Sequence, residues 1–214
     1  MATSILDSTG GSPSITIPID GGAIVVNDIL SEDNAHTYKL SLSPEKCLEA
    51  AGHFKQWFYF RVHCQVGEKL IFVITDASVA TFPLWDGYKV CMSTVGEGED
   101  WTRVKETFYE DGKLMWTIKS ASSSILSFSY FPPYSLERQE RLVQSTLATS
   151  ACSYVSLGKS EEGRDLHGLV FDKHLDATLS DYYVVWIQHR QHPGETSASW
   201  FCDGVVKRLC EMSR

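Results

Sequence analysis

From residue 15 to residue 131 the chain is written in short runs of alternating apolar and polar residues, each ended by a turn signal. No other feature constrains its fold as strongly, because alternation at period two puts every second side chain on one face of a strand and is incompatible with an amphipathic helix. Ile15, Ile17 and Ile19 alternate ahead of Asp20-Gly21-Gly22, and Tyr38, Leu40 and Leu42 alternate in the next run. Trp57-Phe58-Tyr59-Phe60-Arg61-Val62 is aromatic on both faces, which predicts a central strand covered from two sides. Leu70, Phe72 and Ile74 follow at strand spacing. Residues 101–109 are expected to pair with 114–118 across Asp111-Gly112-Lys113, and 125–131 closes the set. About eight short strands at this spacing predict an antiparallel β-sandwich. We place it at residues 15–133, behind a flexible N-terminus at 1–14.

At Phe131-Pro132-Pro133-Tyr134 the pattern changes, since two prolines end strand pairing and Ser135 can cap a helix running to about Ala148. The second part is therefore placed at 134–214. Within it, 154–157 and 164–171 flank the turn-rich 158–163 and read as a hairpin. Tyr182-Tyr183-Val184-Val185-Trp186-Ile187 is a continuous apolar run, the pattern of a strand buried on both faces of an α/β sheet. From Ala198 onward, Phe201, Cys202, Val205, Leu209 and Met212 recur at helical spacing, with Asp203 and Lys207 paired outside. That helix stays amphipathic to the end of the chain, so the second part is expected to be the incomplete beginning of an α/β domain with a mixed sheet.

Composition narrows the function classes. Twenty-seven acidic against 19 basic residues give a net charge of −8, which does not provide an electrostatic surface for nucleic acid. No apolar stretch is long enough to span a bilayer, and the first residues lack the basic and apolar regions of a secretory signal. Cys47, Cys64, Cys91, Cys152, Cys202 and Cys210 show no CxxC spacing, as expected of reduced thiols in the cytoplasm. Nucleotide-binding glycine motifs and the serine-hydrolase elbow are absent.

The chemistry gathers at His189-Arg190-Gln191-His192-Pro193-Gly194-Glu195-Thr196, after the apolar run and before the last helix. Ligand sites favour the carboxyl ends of strands in open sheets. A neutral imidazole and a carboxylate suit zinc, and the turn at Pro193-Gly194 can bring His192 and Glu195 to one point. By itself the HxxE spacing is a pattern that chance supplies often. His189 sits in the extended run and is read as a structural histidine. Arg190 either contacts an acidic substrate or solvates the strand end. His36, His53 and His63 have no carboxylate at ligand spacing.

Arg190-Gln191-His192-Pro193-Gly194-Glu195-Thr196, followed by Ala198, Ser199 and Trp200, resembles the zinc-binding signature of the cytosolic carboxypeptidase branch of the zinc metallocarboxypeptidases. Gly163-Arg164-Asp165-Leu166 is similar to the Gly-Arg element that precedes it there. Trp57 to Val62 resembles a signature strand of that branch's N-terminal sandwich, and Phe131-Pro132-Pro133-Tyr134 its aromatic-Pro-Tyr junction. The resemblance implies Zn²⁺ held by two histidines and a glutamate with water at the open position, His192 and Glu195 being the first two ligands. In the family the third ligand, the general base and the groups that grip the substrate carboxylate lie further along. No catalytic residue is therefore expected within this chain, which is expected to be truncated and inactive alone. The implied activity is zinc-dependent removal of C-terminal residues from proteins or peptides in the cytoplasm, with glutamates of acidic tails such as tubulin's among the substrates. Neither a nucleic-acid nor a membrane partner is implied. A reading from another class is a non-catalytic β-sandwich interaction module with a vestigial zinc motif. Zinc amidohydrolases share an HxxE, but the sandwich ahead of the site argues against them.

Overall fold

The structure, a computed structural model, describes residues 14–18, 21–44, 54–95, 100–171 and 183–213. The expected flexible N-terminus, except for Ser14, lies outside the described residues, as do Ile19, Asp20, Cys47, His53 and Tyr182. The chain divides into two compact units, Met1–Pro133 and Tyr134–Arg214.

Ten strands build the described part of the first unit: β1 (Ser14–Thr16), β2 (Ile24–Glu32), β3 (Ala35–Leu42), β4 (Tyr59–His63), β5 (Lys69–Ile74), β6 (Cys91–Ser93), β7 (Thr102–Arg103), β8 (Thr107–Glu110), β9 (Lys113–Ile118) and β10 (Ile125–Ser129). They form two five-stranded sheets, ordered β1-β4-β10-β6-β7 and β2-β3-β5-β9-β8. β3 shows the period-two rule most clearly: His36, Tyr38, Leu40 and Leu42 are buried and the residues between them are not. β4 lies between β1 and β10, and Trp57, Phe58, Tyr59, Phe60 and Val62 are all buried, as the aromatic run predicts. Leu70, Phe72 and Ile74 from β5, Leu114 and Trp116 from β9, and Leu126 and Phe128 from β10 complete the core.

Two features depart from a purely antiparallel sandwich. β3 and β5 pair in parallel, with Ala35 opposite Lys69 and Leu40 opposite Ile74. The chain between them runs through β4 in the other sheet, and two successive reversals return it in its original direction. The expected single strand at 101–109 is also two strands, β7 in one sheet and β8 in the other. The crossing is tied at Val90, whose carbonyl accepts from the Val104 amide at 2.8 Å while its own amide donates to Thr107 Oγ1 at 3.3 Å. β8 and β9 then form the expected hairpin, with Glu110 opposite Lys113 and Asp111 and Gly112 at φ 48° and 76°. Both central residues at positive φ make the turn whose twist matches the flanking strands.

Gly21 passes so close to β4 that a Cβ there would lie 2.4 Å from Tyr59 Cδ1 and 2.8 Å from Tyr59 Cβ. The ring is buried and cannot swing away. Gly21→Ala is expected to cost about 1–3 kcal/mol as an overpacking change. Urea denaturation reads it, and an unchanged midpoint would show that the 21–22 turn yields freely.

The second unit contains α1 (Leu136–Leu147), β11 (Ser153–Lys159), β12 (Asp165–Val170) and α2 (Thr196–Met212). Ser135 caps α1 as its sequence position predicts, its Oγ accepting from the Arg138 amide at 3.1 Å. β11 and β12 pair antiparallel as a hairpin, with Ser153 opposite Val170. Leu142, Val206 and Cys210 form a small core with Ala151, Leu169 and Phe171 around it.

The apolar run ahead of the site is not the buried strand expected from its composition. Residues 183–190 carry no regular secondary structure, and Trp186 is 71% exposed. A strand buried on both faces needs paired neighbours and a layer on each side. Among the described residues, the sheet of this unit is the β11-β12 hairpin, which does not pair with the run. α2 also turns a different face inward. Thr196, Ser199, Asp203, Val206 and Cys210 are buried, while Phe201 is 65% exposed and Met212 exposed as well. Asp203 does pair with Lys207 as expected, but from a buried position.

Candidate metal centre

His192, Pro193, Gly194 and Glu195 form a β-turn closed by the Glu195 amide donating to the His192 carbonyl at 3.1 Å. Pro193 sets φ at the second position of that turn. Glu195 is also the N-cap of α2, with its carbonyl accepting from the Ala198 amide at 3.0 Å. A carboxylate at that end of a helix is stabilised by the aligned peptide dipoles. Turn and cap together put both side chains on one side of the loop. His192 Nδ1 lies 3.0 Å from Glu195 Oε1, and the His192 amide approaches Glu195 Oε2 at 3.4 Å. These bonds from His192 hold the Glu195 carboxyl below its ordinary range.

Donor chemistry and spacing both fit zinc. Two ligands each about 2.0–2.2 Å from one tetrahedral zinc stand about 3.4 Å apart, so the 3.0 Å separation is close to the spacing of a shared ion. Both side chains are well exposed, at 69% and 51%, leaving room for further ligands. Among the described residues no group of three or more His, Cys, Asp or Glu is arranged to hold a metal. His189 accordingly does not join the pair. Its Nδ1 faces Ser199 Oγ on α2 at 3.5 Å, and burial, then the Arg190 charge, push the imidazole below its ordinary range.

Arg190 reaches into the protein. Its Nη1 donates to the Tyr134 carbonyl at 2.8 Å and its Nη2 to the Pro193 carbonyl at 3.3 Å, from a backbone at φ 50°. Tyr134 is itself anchored, its hydroxyl donating to Asp203 Oδ1 at 3.0 Å and its ring edge-on to Trp200 at 5.3 Å. Burial, reinforced by the Asp203 carboxylate, raises the Tyr134 hydroxyl well above its ordinary range and keeps it a donor. The Arg138 guanidinium lies 4.1 Å from the Trp200 ring centroid and 5.6 Å from that of Tyr134, with Nε 3.9 Å from Asp203. Sequence reasoning placed Tyr134 at the junction but missed this cluster. The signal available was Tyr134 with Arg138 at i,i+4, and an acidic residue at the helical step that continues Thr196 and Ser199. Sequence spacing also missed a partner for His36 of β3, whose buried Nε2 lies 3.1 Å from Oε1 of Glu68, the residue just ahead of β5.

Residues 15–131 match the family model described as cytosolic carboxypeptidase N-terminal domain, and residues 142–214 match that of zinc carboxypeptidase. An uncharacterised protein of Zymomonas mobilis is 33% identical over 199 residues, covering 92% of this chain and 47% of its own. Cytosolic carboxypeptidase 2 of Xenopus tropicalis is 27% identical, covering 80% of this chain and 20% of its own. The crystal structure of a metallo-carboxypeptidase from Burkholderia cenocepacia superposes with a TM-score of 0.79 at 30% identity, over 93% of this chain and 49% of the other. The chain thus spans about half the length of the Zymomonas and Burkholderia proteins. It combines an N-terminal sandwich with the start of a metallocarboxypeptidase catalytic domain. With both parts matched in order, the chain belongs to the cytosolic carboxypeptidase branch of the zinc metallocarboxypeptidases.

Proposed function

We propose that His192 and Glu195 are two protein ligands of a catalytic Zn²⁺, and that the function served is removal of C-terminal residues from proteins or peptides. The observation that carries this is the convergence of His192 Nδ1 and Glu195 Oε1 to 3.0 Å on an exposed turn. Bound zinc supplies a Lewis acid for the scissile carbonyl and an acidified water. Glu195 contributes negative charge and His192 a neutral nitrogen, while the turn keeps both aimed outward. The third ligand, the general base and the groups that choose the side chain belong, on this reading, to the half of the relatives that this chain does not span. Little or no turnover is therefore expected from the 214 residues alone. The family resemblance points to glutamate and acidic tails, tubulin's among them, as the substrate class, and to a cytoplasmic setting. Among the described residues no helix is long and apolar enough to cross a membrane.

Zinc content measured by mass spectrometry on the 214-residue protein tests the ligand assignment. Zinc present in the wild type and lost in His192→Ala is the expected result. Equal zinc in both proteins overturns the assignment, and none in either favours a sandwich module with an idle motif. Robust zinc-dependent release of a C-terminal residue would instead refute the expectation of inactivity.

A further inference from the structure

We infer that Arg190 is a positioning residue for the His192–Glu195 pair, acting as a strut between the Tyr134 carbonyl and the turn; this rests on the zinc assignment above. Both ligand side chains are largely exposed, so packing does not hold them. Their aim has to come from the backbone of the turn. The Arg190 guanidinium grips that backbone from outside the turn: it bonds Pro193, which stands between the two ligands, and Tyr134, which stands at the start of the unit.

The fixed end of the strut is well anchored. Tyr134 is buried, and its hydroxyl is bonded to Asp203 on α2, the helix that begins directly after Glu195. A closed circuit therefore runs from α2 through Asp203, Tyr134 and Arg190 to the turn and back into α2. Arg190 also adopts φ 50°, a left-handed conformation that costs a non-glycine residue energy and persists where the surroundings impose it. The two bonds of its own guanidinium help to impose it. A planar fork can reach two carbonyls at once, whereas a lysine ammonium on a flexible stem holds them less firmly.

Groups that orient metal ligands from behind typically change metal affinity by about 10–100-fold when removed. The experiment is a Zn²⁺ titration of the 214-residue protein against a chromophoric chelator, for wild type, Arg190→Ala, Arg190→Lys, His192→Ala and the double variant Arg190→Ala/His192→Ala. Circular dichroism and the denaturation midpoint are recorded for each. Arg190→Ala should weaken zinc at least about tenfold with its midpoint nearly unchanged. Arg190→Lys should recover only part of that loss, and the double variant should bind no more weakly than His192→Ala. If His192→Ala loses zinc while Arg190→Ala binds as wild type, the strut is refuted and the ligand assignment stands. If His192→Ala binds as wild type, the assignment fails and takes this inference with it. Should Arg190→Ala not fold, undiminished affinity in a folded Arg190→Lys protein overturns the strut.

Discussion

Phe72→Ala should destabilise the sandwich by about 3–5 kcal/mol, the range for emptying a buried phenylalanine site. Phe72 is fully buried in β5, in stacked contact with Tyr38 at 4.8 Å and Trp116 at 5.0 Å from its own sheet. From the opposing sheet Phe128 meets it at 4.6 Å and Phe60 at 5.9 Å. One ring therefore joins both layers, and rings held in this way contribute beyond their buried area. The cavity would be walled by large aromatic side chains on rigid strands, which cannot collapse far into it. Guanidinium denaturation followed by tryptophan fluorescence reads the change, since Trp116 lines the site. Phe108→Ala, at an exposed position on β8, serves as the control and should move the midpoint little. A loss below about 1 kcal/mol in Phe72→Ala would mean that the core repacks far more readily than this geometry allows.

Asp203→Ala should loosen the second unit by about 1–3 kcal/mol, because it removes the acceptor of the buried Tyr134 hydroxyl. Tyr134 would keep a buried hydroxyl without its acceptor, and Arg138 and Lys207 would lose the carboxylate they share. The asymmetry matters here: leaving buried groups unpaired costs more than the bonds contribute when made. Asp203→Asn keeps an acceptor for Tyr134 and discards only the charge, so it should cost less. Amide hydrogen exchange separates the two, with protection falling in α1 and α2 and unchanged in β3, β5 and β9. Equal protection in Asp203→Ala and wild type would show that the small core of Leu142, Val206 and Cys210 suffices without the cluster.

What could be seen in the sequence was whatever depends on near neighbours. The alternation of β3, the Asp111-Gly112 turn, the Ser135 cap and the β11-β12 hairpin each follow from a few consecutive side chains, and each is in place. The approach of His192 and Glu195 was equally local, since one proline-containing turn accomplishes it. The misjudged features depend on what lies across from them. Parallel pairing of β3 with β5 follows from the route of the intervening chain, which no periodicity records. The apolar run at 183–187 has the composition of a covered strand, but cover is a property of other segments. α2 has two candidate faces, and the polar one with Ser199 and Asp203 is chosen because Tyr134 and His189 offer it partners. Arg190 reads in the sequence either as a contact for an acidic substrate or as a charge solvating the strand end, because its partner, the Tyr134 carbonyl, lies 56 residues away.

The order of strands in the first sheet also sets a timetable for the growing chain. β4, which carries Tyr59 and Phe60 and directly follows Trp57 and Phe58, needs β10 alongside it, with Val62 opposite Leu126. At a synthesis rate of about 5–20 residues per second, β4 emerges several seconds before its neighbour is even made. Throughout that interval one edge of β4 can pair with β1, which is made earlier, while its other edge stays open for β10. Once the two prolines that follow β10 clear the ribosome, all ten described strands of the first unit are available for pairing.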